Sequence, residues 1–322
     1  MGKPWFDMLA LQRNVDLNEI RVIVVNDGEE SRLDDDLFKD YPFEVTNLTI
    51  PHGGVSVARN AGIDAATADW VMICDFDDTF MTVNALHILF TAFKDDTKVM
   101  YWSHFMEEIA TTDDRIIYNE HDRDYIFNHG KAFKLKWLND NGLRFHPKLT
   151  LHEDVYFNTL TQAVASEDEI GEIKSGIYLW CWNKDSVSRK YEDWILKTYN
   201  HQIRQRIAIS RDLEQRGLQK GLEMTVVKTL IDGYYDFQEE RWHDKSLTKD
   251  YRLAERWYCT YMKEYWYVYS KVDPKEIAAM ARVARTYRSA KGFLLMESIT
   301  LRDFLIHMMN DVKPIPPEEW DL

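Results

Sequence analysis

Three cysteines in 322 residues, Cys74, Cys181 and Cys259, are too few and too scattered for a disulfide framework or a zinc site, and read as isolated buried thiols. Glycine (13) and proline (8) are scarce enough to exclude collagen-like and low-complexity chains. The longest aliphatic run, Val22–Val25, falls far short of the roughly 20 apolar residues of a membrane helix, and mean hydropathy is −0.46. The opening Met1-Gly2-Lys3-Pro4-Trp5-Phe6 has no apolar signal core, and Phe6 stands where a myristoylation signal wants Ser or Thr. The expectation is a cytoplasmic protein with no membrane span.

Positive charge is also short: 40 Lys+Arg face 54 Asp+Glu, a net charge of −14. The deficit lies entirely in residues 1–190, with 19 basic and 33 acidic side chains, whereas residues 191–322 carry 21 of each. An acidic N-terminal part repels a phosphate backbone but suits a site holding a divalent cation.

With 45% hydrophobic residues the chain can bury a proper core, as one large domain or a domain with an appendage. Up to about residue 190, strand-like runs (Arg21–Val25, Phe43–Ile50, Trp70–Cys74, Lys98–Ser103, Ile177–Trp182) alternate with helical stretches (Val57–Ala68, Val83–Phe93), which predicts an α/β sheet. From Tyr191 onward turn signals thin out. Long amphipathic stretches at Trp194–Arg216, Leu222–Phe237, Tyr251–Tyr269, Pro274–Met296 and Leu301–Asn310 predict an all-α appendage, so the domains expected are 1–190 and 191–322.

Val22–Val25 reads as a strand buried on both faces of a parallel sheet, ending at Asn26-Asp27-Gly28. Val71-Met72-Ile73-Cys74 is a second such run, ending at Asp75-Phe76-Asp77-Asp78. Ligands of open α/β sheets bind outside the carboxyl ends of the strands, so both acidic turns should reach one pocket. Clustered carboxylates there call for a hard cation, Mg²⁺ or Mn²⁺. Taken alone, Asn-Asp-Gly after a strand is ordinary turn chemistry, and Glu153-Asp154 is an ordinary acidic first helical turn. Between the two acidic turns, Gly53-Gly54-Val55-Ser56-Val57-Ala58-Arg59-Asn60-Ala61-Gly62 leads into a helix with Arg59 placed to meet an anion.

In this order and spacing, Val24–Gly28, Gly54–Gly62 and Asp75–Asp78 resemble the nucleotide-sugar-binding half of family 2 glycosyltransferases with the GT-A fold. Gly130–Phe133, Gly142–Phe145 and His152–Phe157 resemble that family's acceptor-side segment, and Trp182–Ser188 its closing strand, so the likeness covers about residues 5–190. The resemblance implies a GT-A-type sheet flanked by helices. It also implies a metal-dependent, inverting transfer of sugar from a nucleoside-diphosphate sugar, a UDP-sugar foremost, to an acceptor hydroxyl on a glycan or other polymer. Carried over by residue, Asp27 contacts the base, Asp75 the ribose or the metal, and Asp77 is the chief metal ligand of the Asp-x-Asp motif. Arg59 joins the donor set, Asp154 is the catalytic base, and Lys131 and Glu153 lie on the acceptor side. His146 and His152 are alternative metal ligands, while Asn183, Lys184 and Asp185 stand where the family often has a metal-binding His.

The resemblance places an opening strand mid-sheet ahead of the helix that Pro4–Gln12 already reads as, so the expectation is that another segment fills its place, that a partner chain does, or that this sequence starts downstream of its natural beginning. The runs Val22–Val25 and Val71–Cys74 are therefore expected to pair directly or to be bridged by a substitute segment from this chain or a neighbour, because unpaired ladders are costly. A catalytically silent nucleotide-, glycan- or partner-binding relative is the second reading. The third is a sugar transferase acting on modified DNA bases, docked through the helix bearing Lys275, Arg282, Arg285, Arg288 and Lys291. Trp257, Tyr258, Tyr261, Tyr265, Trp266, Tyr267 and Tyr269 read as core or as an interface between copies of the chain, and otherwise as a sugar-stacking acceptor platform.

Overall fold

The aliphatic run Val22–Val25 forms the middle of strand β1 (Arg21–Asp27), which pairs in parallel with β2 (Glu44–Ile50) from Arg21↔Glu44 to Asp27↔Ile50. The computed structural model describes residues 3–322 other than 114, 123, 185, 187–195, 197 and 297. The chain divides into two compact units, Met1–Val187 and Ser188–Leu322.

In the first unit, helix α1 (Lys3–Ala10) precedes β1, as Pro4–Gln12 predicted, because Phe6 and Leu9 sit one helical turn apart and both reach the core. The Gln12 side chain fixes its end, donating to the Thr82 carbonyl and accepting from the Leu86 amide. After β2 come α2 (Val55–Ala65), β3 (Trp70–Met72), β4 (Thr79–Phe80), α3 (Ala85–Ala92), β5 (Met100–Ala110) and β6 (Ile116–His121). The unit continues with β7 (Lys131–Lys134), α4 (Leu135–Asp140), α5 (Glu153–Val164) and β8 (Ile170–Trp180). Six strands make a second sheet in the order β3-β7-β5-β8-β4, with β6 also on β5. Only β5 and β8 are parallel within it, so the sheet is mixed.

Among the described residues, the gap between β1 and β3 is not closed from within this chain. The two strands do not pair, and among the described residues no segment is hydrogen-bonded between them. Each is anchored from its other side, β1 by β2 and β3 by β7. A cavity of about 1370 Å³ lies between, walled by Val22–Val25, by Val71–Ile73 and by Trp5, Phe6 and Leu9 of α1. Val22–Val25 is consequently only half-buried rather than covered on both faces. The closing strand also stops early: β8 ends at Trp180, and Asp185, Val187 and Ser188 lie outside the described residues.

The second unit contains helices α6 (Tyr199–Gln215), α7 (Gln219–Asp236), α8 (Thr248–Tyr269), α9 (Pro274–Ala290) and α10 (Leu301–Asp311). Trp257, Tyr258, Tyr261 and Tyr265 are buried, so most of the aromatic crowding is core, while Trp266 and Tyr267 are exposed. Helices α7 and α8 meet at Gly233, where a Cβ would lie 2.2 Å from the Tyr258 ring. Arg288 leaves the proposed basic face altogether: it is buried, bonded to Asp236 at 2.6 Å and facing Asp232 at 3.4 Å. No helix among the described residues is long and apolar enough to cross a membrane.

Candidate active site

Asp27 closes β1, and its carboxylate accepts from the Gly53 amide at 2.7 Å and the Gly54 amide at 3.0 Å, with His52 Nδ1 at 2.9 Å. Asp27 thus clamps the turn that starts α2, where Gly54 takes a φ of 87° that other residues avoid. From that helix, Arg59 reaches across the unit, donating to Asp75 Oδ1 at 2.8 Å and to Glu153 Oε1 at 2.7 Å while lying over the Phe145 ring. Burial disfavours the Arg59 charge, but Asp75 and Glu153 more than offset it and hold its pKa above the ordinary value. Asn60, one residue on, bonds the Phe145 backbone in both directions at 2.8 Å, which fixes α2 against the segment leading into α5.

Asp75 and Asp78 stand beside a buried histidine. His129 Nε2 is 3.9 Å from Asp75 Oδ2 and 3.4 Å from Asp78 Oδ2, and its ring stacks on Trp180 at 4.7 Å. Desolvation works against the Asp75 carboxylate, yet Arg59 and then His129 hold its pKa below the usual range. Desolvation wins at Asp78, whose pKa is raised although His129 and Tyr178 oppose it. Asp78 accepts from the Tyr178 hydroxyl at 2.7 Å and the Cys181 amide at 2.9 Å. One ligand atom each from Asp75, Asp78 and His129 all lie within 4.8 Å of one another, and His129 Nδ1 is buried with no hydrogen-bond partner. Asp77 stands apart from this group, exposed and accepting from Asn183 at 2.8 Å.

Glu153 and Asp154 open α5, whose N-cap, His152, is left-handed at φ 61°. Burial first, and the neighbouring Glu153 second, push the Asp154 carboxyl up to about 7. Lys131, buried at the start of β7, donates to the Phe127 carbonyl. Burial draws its pKa down to about 8 against the pull of Asp124 and Asp154. His146 and His152 lie outside the Asp75–Asp78–His129 group; the His146 ring instead meets Tyr156 edge-on.

The fold thus links Arg59, Asp75 and Glu153 by direct bonds, sets Asp154 and Lys131 beside them, and leaves Asp27 and Asp77 on turns with partners of their own. His129, Asp78 and Tyr178 were not foreseen as a group. Asp78 was visible in the acidic turn, but His129 comes from the turn before β7, about 50 residues further along, and Tyr178 from β8, about 100 residues further along, and nothing local marks them.

Residues 7–156 match the model of the family described as Glycosyl transferase family 2. The matched stretch, a little under half of the chain, is similar to a family 2 glycosyltransferase domain. It contains Asp27, Arg59, Asp75, Asp77, Asp78, His129, Lys131, Glu153 and Asp154. An uncharacterized glycosyltransferase, YwdF, of Bacillus subtilis (strain 168) is 43% identical over 60 residues, 18% of this chain, and the match spans about a fifth (22%) of that relative's length. Among solved structures, S. aureus TarS 1-349 aligns with a TM-score of 0.55 at 15% identity, covering 89% of this chain and 87% of that one. TarS 1-349 in complex with UDP aligns at 0.53 with 14% identity, covering 92% and 95%. Its complex with UDP-GlcNAc gives 0.55 and 16%, covering 89% and 87%. The likeness at this identity is one of fold: a GT-A-type α/β sheet followed by a helical C-terminal part.

Proposed function

We propose that the chain is an inverting glycosyltransferase that moves a sugar from a nucleoside-diphosphate sugar, a UDP-sugar foremost, to an acceptor hydroxyl on a glycan or other polymer. The observation that carries this reading is Asp154, a carboxyl whose pKa sits near 7 beside the linked Asp75–Arg59–Glu153 group. An acceptor hydroxyl is a weak nucleophile, so a base must take its proton as it attacks the anomeric carbon, and a carboxyl poised near the working pH does this best. One base and direct displacement give inversion. Arg59 stands between the two halves of the site and neutralises charge on the departing diphosphate when it exchanges a carboxylate for a phosphate oxygen. TarS, which shares the fold, has been solved with UDP and with UDP-GlcNAc, which supports the uridine donor.

Two carboxylates and an imidazole are a donor set that fits a divalent ion, and Mn²⁺ suits the nitrogen better than Mg²⁺ does. The orphaned Nδ1 of His129 shows that the ring is not committed elsewhere through that atom. Asp75, Asp78 and His129 would hold the ion, with Asp77 on the adjoining exposed turn, and the ion would supply positive charge for the diphosphate. Calorimetry with UDP and with GDP, each with and without Mn²⁺, tests the reading. Binding that strengthens with Mn²⁺ supports it, and equal affinity in excess chelator counts against the metal dependence. A silent, nucleotide-binding relative would bind UDP in the same way but show no turnover of any UDP-sugar; the engaged carboxylate of Asp27 and the open gap beside β1 favour it as the second reading.

A further inference from the structure

Residues 124–130, which carry His129, form neither helix nor strand, yet their carbonyls are bonded within the protein rather than left to water. Asn158 Nδ2 donates to the Ile126 carbonyl at 2.7 Å and to Asn128 Oδ1 at 3.0 Å, and Gln162 Nε2 donates to the Tyr125 carbonyl at 3.0 Å. Lys131 takes two more, its ammonium the Phe127 carbonyl and its amide the Asn128 carbonyl. The Ser103 amide and hydroxyl both donate to the Gly130 carbonyl at 3.0 Å, and Gly130 lies so close that a Cβ would stand 2.3 Å from Ser103 Oγ. At the other end, Asp124 accepts from the amides of Ile126 at 2.7 Å and Phe127 at 2.8 Å. Connecting segments ordinarily run over the surface and give such groups to solvent. This one is fastened along its length, and its best-buried fastener is Asn158, which is 0% exposed. Asp154, Asn158 and Gln162 follow one another at steps of four along α5, so the proposed base and both gripping amides share one face of that helix. Asn158 Oδ1 and Asn128 Nδ2 are buried with no hydrogen-bond partner. An aliphatic residue would leave no such orphaned atoms, so packing alone does not account for an asparagine in this place.

We propose that Asn158, assisted by Gln162, is a positioning residue: it ties residues 125–128 to α5 and so sets the His129 imidazole, beside Asp75 and Asp78, at a fixed spacing from Asp154 on the same helix. The inference rests on the sugar-transfer reading above, in which Asp154 takes the acceptor proton and Asp75, Asp78 and His129 are the donor set for a divalent ion. Transfer requires the acceptor hydroxyl and the departing diphosphate to be held in line, so the groups that serve each of them must keep their separation. Helix α5 is the element common to both, carrying Asp154 itself and holding His129 through the backbone of the preceding residues. Neither amide is bonded to Asp75, Asp78 or His129. Both act one layer out, as the partners that orient a ligating side chain do, and loss of such partners typically costs 10–100-fold in metal affinity.

The test titrates Mn²⁺ alone into the full chain and three variants, Asn158→Ala, Gln162→Leu and Leu160→Ala. Binding is followed by electron paramagnetic resonance, with pulsed detection of nitrogen coupled to the bound ion. In the parent, Mn²⁺ should bind with the coupling of one imidazole nitrogen. Asn158→Ala should weaken binding by roughly 10–100-fold and diminish that coupling. Gln162→Leu removes only the bond to the Tyr125 carbonyl, which lies at the surface where water can replace it, so this variant keeps the fold and should show a loss of the same sign and smaller size. Leu160 is buried on the opposite face of α5, and Leu160→Ala should lower the melting temperature while leaving Mn²⁺ affinity and the nitrogen signal at parental values. Parental affinity and coupling in Gln162→Leu and in any folded Asn158→Ala overturn the proposal. Equal weakening in Leu160→Ala also overturns it, because the effect would then be one of general stability. A parent that binds no Mn²⁺, or binds it without nitrogen coupling, would instead defeat the assignment of the ion to His129, and this inference would fall with it.

Discussion

At the scale of single residues, Asp154 combines burial with a like-charged neighbour, and both effects favour its protonated form. As the base it must be ionised, so the rate of transfer should rise with pH and level off above about 7, read as kcat/KM against pH. Asp154→Asn should lower turnover by roughly 10²–10⁴-fold while leaving UDP affinity nearly unchanged, because the base acts on the acceptor. Turnover within a few-fold of the parent would remove the assignment. Glu153→Gln deletes the neighbouring negative charge but leaves Arg59 in place, so the midpoint of the pH profile should move to lower pH. The same carboxyl links pH to folding. Its folded pKa, about 7, lies above the ordinary 3.8, so the folded state holds the proton more tightly and stability falls as pH climbs between those values. Thermal melts from pH 4 to pH 8 should show this loss in the parent and a flatter profile in Asp154→Asn.

At the scale of elements, the site depends on α2 being pinned at its N-terminal turn by Asp27 and at its middle by Asn60 on the Phe145 backbone. Asn60→Ala leaves a backbone amide and a carbonyl without their partners. It should cost about 1–3 kcal/mol in a denaturant melt and speed exchange at the Phe145 amide. Sequence patterning showed β1, β2, α2, α3 and the opening helix because each carries a local signal, a continuous aliphatic run or an apolar face at helical spacing. It did not show β6, whose Ile116-Ile117-Tyr118-Asn119-Glu120-His121 is almost wholly exposed and is a strand only because β5 extends to pair with it. Nor did it show β7, whose Lys131-Ala132-Phe133-Lys134 is too short to carry a period. In the site, the carboxylates were legible as strand-end turns, but the histidine that joins two of them was not, since His129 meets Asp75 and Asp78 only through the order β3-β7-β5-β8. Within this chain, β1 and β3 do not pair as one arm of the expectation had it: each strand is held by its other neighbour, and a cavity lies between them.

At the scale of the whole molecule, charge separates the polymer acceptors the protein can take. The excess of acid is confined to residues 1–190, the part that holds the stretch similar to family 2 glycosyltransferases, so a nucleic-acid acceptor would have to approach the site against a like-signed field. The basic helix that would offset this field is weaker than its sequence suggests. Arg288 is committed to Asp236 and Asp232, leaving Lys275, Arg282, Arg285 and Lys291 as the exposed cations there, interleaved with exposed Val283 and Tyr287. Proteins that hold duplex DNA through several phosphate contacts lose roughly 10³–10⁵ in affinity between 50 and 200 mM salt, as condensed counterions are no longer released to advantage. With few exposed cations on that helix and a net charge of −14, this chain should show no such slope. Fluorescence anisotropy of a labelled duplex should stay flat with added protein at both salt concentrations. A duplex affinity that falls steeply with salt would instead mean that the α9 cations act together as a phosphate-binding face, and would restore a DNA base as the acceptor in place of a glycan hydroxyl.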